Sequence, residues 1–200
     1  MPFISKLGNE VTLQKCIFNN AEMEKVIYNG VEVFSAFNGV IFDNGTYPNS
    51  NVISGFVRRW ANNYNGSYYG TGLYSGDGYV GVGAASNGGV ACTGCDVSSI
   101  ESFNSKNYSA INFEIQTANF AGGEFAYASA GVSTNATLKS DDGLTRLMTT
   151  TNYGWESKRN AYIPIQKNTD YYIHFFCGNN RVSDGGYLNT VIKATKIWLS

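Results

Sequence analysis

The sequence predicts an all-β protein, an antiparallel sandwich or barrel, and three observations predict it. Apolar and polar residues alternate with a period of two in Ile111-Asn112-Phe113-Glu114-Ile115-Gln116, the pattern of a strand with one buried face. Clusters of Gly, Asn, Asp and Ser recur between such runs and supply turns. Helical periodicity is almost absent: the best stretch, Glu10 to Met23, offers only a ragged face of Val11, Leu13, Cys16, Ile17 and Phe18. Only 3 of 200 residues are proline, as suits sheets, because proline removes a ladder donor.

Taken in order, the first clear element is a hairpin. Lys25-Val26-Ile27-Tyr28 and Val31-Glu32-Val33-Phe34 flank Asn29-Gly30, and a type I′ turn needs positive φ at both central residues. Further turns are marked by Asn44-Gly45, Asn65-Gly66, Gly122-Gly123, Asp142-Gly143 and Gly185-Gly186. Beyond residues 111–116, strands are expected at Ala161–Ile165 and Tyr171–Cys177. A last one is expected in the β-branched segment Thr190–Leu199. No internal repeat of fixed period is present. A boundary is expected near residue 37, between an arm with hairpin (1–36) and a main domain (37–200) that is aromatic, rich in Gly and Asn, and poor in charge. Thirty-six residues are too few for a core of their own, so the arm is expected to pack on the main domain or on another protein.

Composition narrows the function. The chain has 14 Lys+Arg and 15 Asp+Glu, so 14% of it is charged, against about 25% in ordinary soluble domains. With net charge −1 and no basic stripe, nucleic acid is not an expected partner, since its binding requires cations that release phosphate counterions. No run approaches 18 apolar residues, so membrane insertion by a helix is not expected. A hydrophobic share of 43% with 14 Tyr, 12 Phe and 3 Trp excludes a disordered chain. The opening Met1-Pro2-Phe3-Ile4-Ser5-Lys6 lacks the pattern of a secretory signal, and synthesis in a cytosol is expected. The four Asn-x-Ser/Thr sites, at Asn44, Asn65, Asn107 and Asn135, are read as chance in so Asn-rich a chain.

Cys92-Thr93-Gly94-Cys95 is a lone Cys-x-x-Cys without a second pair, so Cys16, Cys92, Cys95 and Cys177 are expected to be free thiols. A nucleophilic triad would have to use His174, the sole imidazole, which sits mid-strand between Ile173 and Phe175 and reads as structural. A glycosidase needs two carboxylates across a sugar; the candidates are Glu101, Glu114, Glu124, Asp141 and Asp142, with Glu114 expected to face solvent. Gly81-Val82-Gly83-Ala84-Ala85 lacks the spacing and the lysine of a phosphate loop and reads as close packing. Asp77, Asp141 and Asp184 are weak candidates for a structural calcium ion, against the simpler reading of Asp in turns. No other cofactor is expected.

The most suggestive stretch runs from Trp60 to Tyr74 and holds Asn62, Tyr64, Tyr68 and Tyr69. Tyr153 and Trp155 form a smaller cluster near Arg159. Aromatic faces stack on sugar C–H surfaces, and amides both donate to and accept from hydroxyls. The expected ligand-binding set is therefore Trp60, Asn62, Tyr64, Tyr68, Tyr69, Tyr74 and Trp155. The alternatives are contact with another protein, or ordinary core packing.

The hairpin Lys25–Ala36, with its pattern K-V-x-Y-N-G-x-x-V-aromatic, resembles an element of tailed-bacteriophage virion proteins. Val40-Ile41-Phe42-Asp43-Asn44-Gly45 followed by Ser54-Gly55-Phe56 resembles the opening of jelly-roll modules in phage tail and fibre proteins, with Phe56 where Trp is usual. Asn107–Ile115 and the closing Ile192–Leu199 resemble two further strands of those modules, and residues 83–95 stand as an insertion. The resemblance implies a galactose-binding-like jelly roll on a phage particle, made in the bacterial host cytoplasm and carried on the virion. With no convincing catalytic set among the residues above, a non-enzymatic role is expected. The resemblance does not say whether sugar is bound. The leading expectation pairs the protein with other virion proteins and with host-surface glycan, and Val26, Tyr28, Val31, Val33 and Phe34 are expected to anchor the hairpin to the particle. Low charge and flat polar aromatics add an expected contact with further copies in a homo-oligomer or lattice. Three alternatives remain: a tail or capsid decoration protein that only reinforces the particle, a cellular carbohydrate-binding module, and a glycan-degrading enzyme.

Overall fold

The computed structural model describes residues 17–18, 21–22, 25–28, 31–35, 39–62, 71–86, 93–106, 108–120, 126–148, 152–179 and 187–200. The chain divides into two compact units, Met1–Asn38 and Gly39–Ser200. In the first, β1 (Ile17–Phe18) pairs antiparallel with β2 (Ala21–Glu22), so the described part of the ragged helical stretch is strand. The hairpin is present as β3 (Lys25–Tyr28) and β4 (Val31–Ser35). Tyr28 pairs with Val31, and the register slips between Val26 and Ile27, which leaves Val33 as the extra residue of a bulge. The Asn29-Gly30 turn lies outside the described residues.

The second unit is two antiparallel sheets with no helix among the described residues. The first sheet has six strands: β6 (Phe56–Ala61), β9 (Cys95–Ser99), β10 (Phe103–Asn104), β12 (Ala126–Ser133), β13 (Thr145–Arg146) and β16 (Asp170–Asn179). Its order is β13-β12-β16-β9-β6, and β10 also pairs with β16. The second sheet has seven: β5 (Val40–Asp43), β7 (Gly72–Gly76), β8 (Tyr79–Ser86), β11 (Ala110–Asn119), β14 (Gly154–Trp155), β15 (Arg159–Pro164) and β17 (Tyr187–Leu199). Its order is β14-β11-β17-β8-β7, with β15 beside β11 and β5 beside β17. Pro164 ends β15, which among the described residues pairs with β11 alone, where a missing ladder donor costs least.

The sheets pack face to face, β16 against β8 and β17, and β12 against β11 and β17, so the unit is a β-sandwich. One set of alternate residues meets in the middle. Phe175 of the first sheet lies edge-on to Phe113 of the second, centroids 5.8 Å apart, and 5.6 Å from Phe56. Ile111, Ile115, Val82, Ile192, Val97 and Ile173 complete a fully buried centre. The expected strands are present as β11, β15, β16 and β17, and β11, β16 and β17 run longer than the alternation alone marks. Cys95 and Cys177 are buried and stand directly opposite each other on β9 and β16.

Candidate functional site

Antiparallel partners share a face, so the residues alternating with the core set stand on the two outer faces of the sandwich. On the first sheet these are Asp96, Ser98, Ser129, His174 and Phe176, and each is at most 1% exposed. Such burial of polar side chains on an outer face needs a cover, and segment 134–144 supplies it. His174 Nε2 donates to the Asn135 carbonyl (2.9 Å), Ser98 Oγ to the Ala136 carbonyl (2.9 Å), and the Leu138 amide to Asp96 Oδ2 (2.8 Å). Ser129 Oγ donates to Asp141 Oδ2 (2.9 Å), and a Cβ on Gly131 would lie 3.1 Å from Leu144. His174 Nδ1 lies 2.8 Å from Asp96 Oδ1. A carbonyl only accepts, so Nε2 carries a proton, and one more proton closes the Nδ1–Oδ1 contact between imidazole and carboxyl. The sole histidine is thus committed on both nitrogens to holding a strap on the sheet, with no exposed atom for a substrate.

Beside the strap, Phe176 is covered by flanking rings. Trp60 stacks at 6.2 Å and 23°, and Tyr127 at 6.3 Å and 20°. A Cβ at Gly94 would lie 2.9 Å from both Trp60 and Phe176. The Tyr127 hydroxyl donates to the Thr93 carbonyl, and Arg146 sits 5.1 Å over the Tyr127 ring.

The second sheet's outer face is of another kind. Register places Lys193 of β17 opposite Gly81 of β8 and Gln116 of β11, and Gly81 opposite Tyr74 of β7. Trp155 of β14 stands opposite Ala118, one step along. A Cβ at Gly81 would fall 1.9 Å from the Ile192 carbonyl oxygen, so the glycine lets the backbones of β8 and β17 approach closely here. Lys193 Nζ lies 4.3 Å from the Trp155 ring centroid and 4.8 Å from that of Tyr79. Tyr79 stacks on Tyr74 (5.3 Å), while Phe120 lies edge-on to Trp155 (5.8 Å) and Tyr153 (5.6 Å). The result is a row of six side chains: Tyr74, Tyr79, Lys193 and Trp155 on four strands, Phe120 just after β11, and Tyr153 just before β14. At its end Trp155 is 41% and Tyr153 75% exposed. Gly154 between them has φ +113°, a conformation that only glycine adopts cheaply, and it lets the two rings project side by side.

An open depression of about 460 Å³ lies at this end, lined in part by Tyr153, Trp155, Glu156 and Arg159. Its wall is fixed by a buried carboxylate: Glu156 Oε2 accepts from Thr117 Oγ1 (2.6 Å) and Arg159 Nη1 (2.6 Å). Burial pushes the Lys193 amine below the ordinary lysine value, and the charge of Lys158 pushes the same way. Hydrogen bonds from Lys158 and Thr195 hold the Glu114 carboxyl below its ordinary value against the opposing effect of desolvation. Burial raises the Tyr74 phenol, helped by Tyr79.

The expected site residues therefore fall apart. Trp60 and Asn62 belong to the first sheet's end, where Asn62 Nδ2 donates to Thr93 Oγ1 (2.7 Å). Tyr74 and Trp155 lie on the second sheet's outer face, at opposite ends of one row. Tyr64, Tyr68 and Tyr69 lie outside the described residues, as do Asp184, Glu124, Cys16 and Cys92. Asp77 is exposed in the β7–β8 turn, and Asp141 is held by Ser129 and by Arg146 (3.0 Å). Among the described residues, no group of three or more His, Cys, Asp or Glu is placed to hold a metal ion. Glu114 stands on the outer face, partly exposed, paired with Lys158 at 2.8 Å and bonded by Thr195. Glu101 accepts from Ser54 Oγ (2.5 Å) and from the Ser54 amide. Of the anchoring set Val26, Tyr28, Val31, Val33 and Phe34, the backbone pairing is as given above.

No family model matches the chain, and no curated protein is similar to it. Sequence reading missed Lys193, Tyr79 and Phe120 as members of the aromatic row. The one available signal was the isolated lysine in the otherwise apolar run Val191-Ile192-Lys193-Ala194, which marks an outward position. It also missed Asp96, the partner of His174, which lies 78 residues away. Among the described residues, no helix is long and apolar enough to cross a membrane.

Proposed function

We propose that the chain is a non-enzymatic structural protein of a tailed-bacteriophage particle, exposed on the virion, whose sandwich makes contact with host-surface glycan. The phage assignment rests on the sequence resemblance of the hairpin and of the closing strand. One structural observation carries the contact: the exposed Tyr153–Trp155 end of the aromatic row, beside an open depression on an outer face that the described chain leaves exposed. Flat aromatic surface suits the C–H faces of a sugar, and its rigidity lowers the entropy cost of contact. The row is flanked by amide and hydroxyl groups (Gln116, Asn152, Ser157), which exchange hydrogen bonds with hydroxyls. The hairpin is the proposed particle anchor, and jelly-roll connectivity the proposed form of the sandwich.

The test is an array of bacterial surface polysaccharides probed with the full chain. Wild type binds a subset of them, and the double variant Tyr153→Ala/Trp155→Ala loses about tenfold or more of that affinity, about 1.4 kcal/mol, with an unchanged melting temperature. A flat array for wild type, together with tight binding to particles, would instead make the protein a decoration subunit. Release of reducing sugar from a bound polysaccharide would make it a hydrolase.

A further inference from the structure

Resting on the glycan-contact reading above, we propose that Lys193 is the anion-recognition point of the second sheet's outer face, and that the saccharide taken there is acidic, a polymer of uronic-acid type whose carboxylate accepts from Lys193 Nζ. Three lysines stand on or beside this face, and they differ in what they meet. Lys158 has Glu114 at 2.8 Å, and Lys196 has Asp43 at 3.3 Å. Among the described residues no carboxylate pairs with Lys193, and its ammonium meets only the rings of Trp155 and Tyr79. Ring faces attract and orient a cation without neutralising it, so the face carries one surplus positive charge held in a fixed place.

That charge is also under-solvated. Burial and the neighbouring Lys158 both disfavour the ammonium form, and the opposite charge of an arriving carboxylate would offset them. The site fits a carboxylate better than a phosphate. The nearby guanidinium of Arg159 gives Nη1 to Glu156, and its Nη2, though without a partner, is buried, which leaves Lys193, among the described residues of this face, to meet one negative charge per sugar. The rest of such a ligand is an uncharged hydroxylated ring, suited to the exposed surfaces of Trp155 and Tyr153.

The experiment measures binding of the full chain to three polymers: polygalacturonate, its fully methyl-esterified form, and dextran. Wild type is expected to bind polygalacturonate about tenfold or more tighter than the ester, the size of one charge-assisted hydrogen bond, with an advantage that shrinks as salt rises. Lys193→Met, which keeps the stem on the rings, should bind acid and ester alike at the ester's affinity. Lys193→Arg should keep the preference. Equal binding of acid and ester by wild type would overturn the acidic assignment and leave a neutral glycan face. The acidic assignment also falls if none of the three polymers binds while the polysaccharide array is positive. Failure on polymers and array together would overturn the glycan reading itself. A preference that survives in Lys193→Met would overturn the role of Lys193.

Discussion

The two outer faces of one sandwich have been given opposite treatments. On the first sheet, outward polar side chains at Asp96, Ser98, Ser129 and His174 are fully buried beneath segment 134–144, and every one of them bonds to that strap or to a neighbour that does. On the second sheet, the outward positions hold Tyr74, Tyr79, Lys193 and Trp155, packed on one another, and the row ends in exposed rings. The difference teaches where each face finds its partners. A buried polar layer is stable only when its donors and acceptors are satisfied from within, so the first face is committed to the chain itself. A partly buried cation held by ring faces, with no carboxylate among the described residues, is left unneutralised, and the acidic saccharide proposed above is the partner that would neutralise it.

The contrast breaks most visibly at Asp96. Asp96→Ala leaves His174 and the Leu138 amide without their partner in a site that water does not reach, and it should cost about 3–5 kcal/mol of stability by urea unfolding. Binding to polysaccharide by the fraction that remains folded should be unchanged. A loss below ~1 kcal/mol would mean that the strap is not held by this pair. A smaller effect sharpens the other side. Gly154→Ala places a side chain where φ is +113°, with no neighbour within 4 Å to clash, so its cost is backbone strain alone, about 1–3 kcal/mol. Because that strain is relieved by turning Tyr153 and Trp155 out of line, polysaccharide binding should fall several-fold. Unchanged binding would show that the two rings need not project together.

Strand positions were largely legible, because alternation is a local property: Ile111–Gln116 and Tyr171–Cys177 announce a buried face without knowledge of their partners. The site was not, because it is made by register. Lys193 meets Trp155 and Tyr79 only once β17 is placed between β11 and β8, and nothing local in the sequence fixes that order. The stretch from Trp60 to Tyr74 shows the same limit from the other side. It reads as one cluster, yet Trp60 belongs to β6 of the first sheet and Tyr74 to β7 of the second. Trp60 stacks on Phe176 as cover, whereas the smaller cluster of Tyr153 and Trp155 holds the exposed rings. His174 was legible as structural from its place between Ile173 and Phe175, but Asp96, which makes that role possible, was not.

That the second sheet's outer face is the contact face is tested most directly by hydroxyl-radical footprinting of the full chain, with and without saturating polygalacturonate. Protection of Tyr153, Trp155 and Tyr79 is expected, with Trp60 and Tyr127 on the first sheet unchanged. Protection at Trp60 and Tyr127 instead, or equal labelling of all five in both states, would contradict a contact on that face.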